Sequence, residues 1–292
     1  KRRPDEVVAL VPPKNGMATV EKVAINAIMA GCPARTLPVV IAAVEAMTQE
    51  QFNLLCIQTT TGNATVGLVL NGPVVGRLEF NAGAGALGTG NRANATVGRA
   101  VRLVLLNIGG ATPVDIDMAS LGWPGKFTFC FAENEAKSPW APLHVERGFH
   151  RDDSTVTVVG AAGIVEVADS MATSAESVLT TVATSMLIGG TAGMEGILGG
   201  GEPLVVLTPE HAALMAHDGF SKDEVKRFLY EEARLPLARL GKDSRQRVKM
   251  HRERMGAADL EADLRVAHRP EDIMVVVAGG IGIKSAYVPT WG

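Results

Sequence analysis

Two apolar runs leave this chain few choices of architecture. "EPLVVL" (202–207) and "DIMVVVAGGIG" (272–282) are short, continuous and free of alternation, the pattern of strands buried on both faces. The first passes directly into "TPEHAALMAHDG", where Thr208 stands as a cap, Pro209 takes the first helical position and Gly219 ends the helix. The second runs into a glycine turn. Strands that hand over to helices in this way predict an α/β fold, with a mainly parallel sheet in this half. The loops after both strands lie where open α/β sheets bind ligands.

The surrounding segments fit that class. "STVTVVGAAG" (154–163) opens the second region, and "SAESVLTTVATSML" (174–187) reads as a helix capped by Ser174. Ser221 and Glu224 form a capping box ahead of "KDEVKRFLYEEARL". Residues 241–269 are charged and poor in large apolar side chains, which predicts a solvated helix or a mobile insertion. In the first half, 18–32 is a helix with Thr19 as cap, and 37–47 is a second with Pro38 in its first turn. "FNLLCIQTT" (52–60), "VGLVLNGP" (66–73) and "KFTFCFAENE" (126–135) read as strands, and 94–110 as a helix closed by Gly109 and Gly110. Residues 136–149 read as an irregular loop. The expected organisation is mainly parallel or mixed sheets with flanking helices in two α/β domains, a glycine-loop domain over 1–150 and a second over 151–292.

Composition removes several function classes. The net charge is −3 and aromatic residues make up 4%, so neither a basic footprint nor material for base stacking points to nucleic acid. No apolar run has the length of a membrane span. The chain starts "KRRPDEVVAL" without an initiator Met or a signal-peptide pattern, which suggests trimming. Cys32, Cys56 and Cys130 are too far apart for a Cys-x-x-Cys dithiol, and their odd number argues against a disulfide framework. A reduced cytoplasmic compartment fits this usage. Cys130 reads as a buried apolar residue, and Cys32, at a helix end, as a weak nucleophile.

The stretch "NAGAGALGTGNRANATVGRA" (81–100) is rich in glycine and asparagine and leads into a helix. Gly83, Gly85 and Gly88 match G-x-G-x-x-G, but the helix begins only after Gly90 and Arg92, and no acidic residue stands about 20 positions on, where a dinucleotide site needs one. Two readings remain: a loop that merely turns, and a loop whose backbone N–H groups hold an anion at a helix N-terminus, helped by Arg92 and Asn94. Arg99 and Arg102 lie further along and read as ion-paired. "GGIGIKS" (279–285) lacks the Gly-Lys-Ser order of a phosphate loop, since Ile283 separates Gly282 from Lys284. It reads as a tight turn, with Lys284 and Ser285 as candidate ligand contacts. His211, in a helix first turn, reads as structural or anion-binding.

"ENEAKSPWAPLHVERG" (133–148) gathers Glu133, Glu135, His144 and Glu146 around Trp140. A strand delivers the first pair, and the proline-bounded link can fold back to bring in the second. An acid–base cluster, a carboxylate/His metal site and a surface loop with ordinary ion pairs are the alternatives. His144-x-Glu146 is half of a zinc-deaminase signature, but Pro-Cys-x-x-Cys is missing, which removes that reading.

Several stretches, among them "RRPDEVVALVPP", "ATVEKVAINAIMAGC", "GNRANATVGRA", "FCFAENE", "PLHVERGF" and "AGGIGIKSAYVPTWG", together resemble a bacterial family associated with a UGSC selenoprotein-like partner. That partner's Cys/Sec-Gly-Ser-Cys motif is similar to those of glycine and proline reductase subunits. The resemblance implies that the redox pair lies in the partner and that this chain supplies substrate or cofactor binding. Family members carry Thr-Thr-His-Pro-Cys ahead of Asn-Gly-Pro, whereas Thr60, Thr61, Gly62, Asn63 and Ala64 stand here.

The expected function is thus a subunit that binds a small polar or anionic organic substrate. Asn71, Gly83, Gly85, Gly88, Gly90, Arg92, Asn94 and Ser285 would bind it. Glu133, Glu135, His144 and Glu146 would do acid–base work, in reductive chemistry with a thiol- or selenol-bearing partner. The cofactor is undefined, no metal is assigned, and an oligomer is expected. The alternatives are a self-contained lyase or hydratase, with or without a metal, and a non-catalytic assembly subunit.

Overall fold

The computed structural model describes residues 2–187 and 201–291. It divides into two compact units, each with its own sheet. The first comprises the chain as far as Ala136, with Ala141–Gly163 and Ala278–Gly280. The second comprises Lys137–Trp140, Ile164–Val277 and the chain from Ile281 onward. The main division therefore falls after Gly163, not at 150, because the strand that opens the expected second region pairs with the first unit's sheet.

The first unit opens with an antiparallel hairpin, β1 (Val7–Val11) and β2 (Gly16–Thr19). Helix α1 (Val20–Met29) starts where Thr19 accepts a bond from the Lys22 N–H, and α2 (Leu37–Met47) follows with proline in its first turn. The expected strand at 52–60 is instead a short helix, α3 (Leu54–Thr59). Leu54, Ile57 and Gln58 are buried there while Leu55 is exposed, a helical spacing that a short apolar run does not reveal by itself. Strand β3 (Thr65–Asn71) is buried throughout, and α4 (Val74–Arg77) is a single turn after it.

Helix α5 (Arg92–Asn107) is capped by Asn91, whose side chain accepts from the Asn94 N–H. It buries Val97, Val101, Val104 and Leu105 at helical spacing, each worth about 1.5–3 kcal/mol. The alternating stretch 126–135 yields a strand only at β4 (Cys130–Ala132); its first residues close a 3-10 turn, and Phe127 is exposed. A short helix, α6 (Leu143–Glu146), interrupts the expected loop, and β5 (Thr155–Ala161) completes the sheet. The strand order is β4-β3-β5, with β4 parallel and β5 antiparallel to β3. Gly67 in β3 makes room for Phe129, whose ring would lie 2.6 Å from an added Cβ.

The second unit contains β6 (Val165–Ala168), α7 (Ala175–Ser185), β7 (Leu204–Leu207), α8 (Pro209–His217) and α9 (Lys222–Glu232). Next come β8 (Arg234–Leu235), α10 (Lys242–Arg254), β9 (Leu264–Arg265), β10 (Met274–Val277) and β11 (Lys284–Val288). Ser174 caps α7, and the Ser221–Glu224 box caps α9. Thr208 occupies the cap position of α8 without making the cap bond.

The sheet order is β10-β7-β11-β6. Only β7 and β10 pair in parallel; β11 runs antiparallel to both of its neighbours. The sheet is therefore mixed, because the segment after the glycine turn, expected to be turn alone, returns as a strand. Val205, Leu207, Val275, Val277 and Tyr287 pack with α7, α8 and α9 in one core. The charged segment 241–269 is anchored to this unit. Val248 is fully buried, and the Arg252 guanidinium donates to the carbonyls of Leu260, Ala262 and Asp263.

Candidate acid–base site

β3 and β4 run in parallel with Leu70 opposite Ala132, so Asn71 and Glu133 emerge side by side at their carboxyl ends. A backbone bond from the Glu133 N–H to the Leu70 carbonyl, 3.0 Å, holds that alignment. Asn71 Nδ2 then donates to Glu133 Oε2 at 2.6 Å and to Glu135 Oε1 at 3.1 Å. Both amide hydrogens are spent on carboxylates. Gly72 adds its N–H to Glu135 Oε1 at 2.6 Å. That position requires glycine: its φ is +82°, and a Cβ would lie 1.9 Å from the Asp153 carbonyl oxygen.

The chain returns through α6. Its first N–H, on Leu143, donates to Glu133 Oε2 at 2.8 Å, so one carboxylate oxygen ties the end of β3 to the start of the helix. His144 follows, with 1% of its surface exposed. Its Nε2 lies 3.3 Å from the Arg151 carbonyl oxygen. A carbonyl only accepts, so this bond places the proton on Nε2 and leaves the Nδ1 lone pair open. Nδ1 has no hydrogen-bond partner among the described residues and lies 3.8 Å from Glu135 Oε1. Asn71 Oδ1 and Thr155 Oγ1 are also buried without a partner. Thr155 stands opposite Asn71 in the β3–β5 register, hence on the same face of the sheet. The Glu135 side chain, 21% exposed, reaches the surface.

The structure thus brings Glu133, Glu135, His144 and Asn71 together. Glu146, on the same short helix, is exposed. Trp140 belongs to the second unit, where its indole N–H donates to the Phe220 carbonyl at 3.0 Å. Thr155 is the residue that sequence reasoning missed. Its only signal was its place at the start of an alternating strand, which says nothing about its cross-strand neighbour.

The glycine loop makes bonds mostly with itself. Gly83 N–H bonds the Asn81 side chain, Ala86 N–H the Gly83 carbonyl and Gly88 N–H the Gly85 carbonyl. Gly85 and Gly90 adopt positive φ, which keeps these turns tight. Asn94, 4% exposed, accepts from the Asn81 N–H and donates to the carbonyls of Asn81 and Ala86. Arg92 donates twice to the Gly31 carbonyl. The two side chains expected to help hold an anion are therefore bonded to the chain's own backbone.

In the second unit Ser285 Oγ and His211 Nδ1 are 2.8 Å apart, and His211 Nε2 is 3.4 Å from the Asp169 carbonyl oxygen. Burial holds the His211 imidazole below its ordinary value near 6.5. The pair ties β11 to the first turn of α8. A further buried charge cluster in the first unit is self-sufficient: Asp117 bridges Arg102 at 3.1 Å and Lys126 at 3.0 Å. Among the described residues no group of three or more His, Cys, Asp and Glu side chains could hold a metal ion. None of their helices is long and apolar enough to cross a membrane.

Comparison with family models, curated proteins and solved structures gives no match.

Proposed function

We propose that the chain is an enzyme component that binds a small polar organic substrate at the carboxyl ends of β3 and β4 and moves a proton with His144 and Glu135. One observation carries this reading: a buried imidazole whose Nε2 is committed to the Arg151 carbonyl and whose Nδ1 lone pair faces a carboxylate oxygen 3.8 Å away. A buried acceptor without a protein partner costs stability, and a catalytic role accounts for that cost.

His144 Nδ1 acts as the base. As it takes a proton the ring becomes an imidazolium, and the neighbouring Glu135 carboxylate stabilises that charge. Asn71 and the Gly72 N–H hold Glu135 in place, and Glu133 fixes α6 so that the imidazole stays aligned. A positioned base of this kind contributes about 10²–10⁴-fold to a proton-transfer step. The chemistry suits a lyase, hydratase or isomerase. The UGSC-family resemblance supports a two-component version, in which a partner's thiol or selenol pair supplies electrons and this site supplies the proton.

The test is deuterium incorporation. A panel of small hydroxy, keto and amino acids is incubated with the protein in D2O and read by proton NMR. We expect exchange at a carbon-bound position of at least one compound, reduced about 100-fold or more in His144→Gln and Glu135→Gln with unchanged melting temperature. Wild type and both variants behaving alike across the panel removes the pair from the chemistry.

A further inference from the structure

The open valences of this site have a sign. Its donors are already used: both hydrogens of Asn71 Nδ2 and the N–H groups of Gly72 and Leu143 are spent on the two glutamates. Among the described residues, Asn71 Oδ1, His144 Nδ1 and Thr155 Oγ1 have no hydrogen-bond partner. The first two can only accept, once Nε2 carries the imidazole proton, and the third can do either. Glu135, the member that reaches solvent, is a further acceptor. A carboxylate or phosphate entering between these atoms would meet acceptors and a negative charge, with the Thr155 hydroxyl able to offer a hydrogen.

From this we infer that the ligand of the site presents a primary ammonium or amine nitrogen, held between His144 Nδ1 and Glu135 Oε1. The inference rests on the acid–base reading for the existence of the site and adds the class of its ligand. The geometry suits one nitrogen serving both acceptors. Two atoms 3.8 Å apart can each lie at about 2.8 Å from a common third atom. An ammonium carries three donors and can bond both while keeping one for a further acceptor. A hydroxyl carries a single donor and satisfies only one. The positive charge strengthens the bond to Glu135, since charge-assisted hydrogen bonds are about twice as strong as neutral ones. A substrate with an amino group beside its reacting carbon would thereby be anchored by this pair, and because Nδ1 has one lone pair, the ammonium hydrogen leaves it and keeps to Glu135 before Nδ1 takes the carbon-bound proton.

The experiment uses the intact chain labelled with 15N-histidine, with the His144 imidazole resonances assigned from His144→Gln. Methylammonium is the probe, and acetate and methanol are size-matched controls. Methylammonium should shift the His144 resonances saturably, and acetate and methanol should not. Glu135→Gln and Glu135→Asp, the second keeping the charge but withdrawing the oxygen, should each weaken methylammonium binding about tenfold or more. Glu146→Gln should leave it unchanged. Saturable binding of acetate in preference to methylammonium overturns the inference. So does an affinity for methylammonium that both Glu135 variants retain, or the absence of any saturable response, which would mean that the site takes water only.

The two proposals fail separately. Deuterium exchange that depends on His144 without amine binding refutes the ligand class alone. Amine binding with exchange indifferent to His144 refutes the reaction alone.

Discussion

Asn94 shows how one side chain decides what a loop can do. Its oxygen and nitrogen bridge the Asn81 backbone and reach the Ala86 carbonyl, so the glycine loop is closed around it. Removing it would take from the Asn81 N–H and the Ala86 carbonyl the bonds it supplies, while the Asn81 carbonyl keeps the Ala132 N–H, at about 1–3 kcal/mol for the set. Asn94→Ala should therefore lower unfolding free energy by about 2 kcal/mol in a denaturant titration while leaving methylammonium binding at His144 intact. A variant as stable as wild type would mean that the loop is not held by this residue. Gly72 has the opposite economy: it contributes no side chain, and the site depends on that, because only its bare backbone can pass the Asp153 carbonyl and still donate to Glu135.

At the scale of elements, the tie between α8 and β11 makes a prediction in pH. His211 is buried against Ser285, and burial depresses its folded-state pKa below the ordinary value near 6.5. The unfolded chain then binds the proton more readily than the folded one. Stability from this group is complete above about pH 6.5 and is lost as pH falls through the depressed value. Carboxylates held low, such as Asp218 beside the Ala175 N–H, lose their contribution only around and below their ordinary value near 3.8. The two windows are thus separate. Urea midpoints should fall as the pH drops below about 6.5 in wild type, and His211→Gln should flatten that slope. An equal slope in the variant would show that the imidazole does not carry it.

Across the whole molecule, the thiols lie in different environments. Cys56 is exposed, Cys32 is intermediate and Cys130 is buried in β4, where desolvation pushes its thiol well above the ordinary range. A thiolate-selective reagent should modify Cys56 quickly, Cys32 more slowly and Cys130 only on unfolding. Rapid, reversible formation of a disulfide between any two of them in the native protein would contradict this order, and with it the proposal that a partner supplies the redox pair. Each unit closes its own sheet, so the acid–base cluster and the His211–Ser285 tie can be probed by separate variants.

Much of the secondary structure was legible because its signals are local. The cap bonds of Thr19, Ser174 and Ser221 span three residues, and a side chain three positions from an N–H meets it whenever a helix starts there. The α/β class followed from the continuous apolar strands. The run at 52–60 misled because six residues of helix and a buried strand share one composition, and only the packing partner selects between them. β11 was missed because Lys284 and Ser285 follow a glycine turn, and their pairing is with β7 and β6, distant in the chain.

The same contrast governs the site. The residue types at 133, 135, 144 and 146 offered an acid–base cluster as one reading beside a metal site and a surface loop with ordinary ion pairs. Which of them would meet depended on the parallel register that sets Asn71 beside Glu133, 62 residues away, and on the antiparallel register that sets Thr155 opposite Asn71. Chain order determines which groups are present. Strand register, a property of the folded sheet, determines which of them share a face, since a slip of one residue would turn every side chain to the other side.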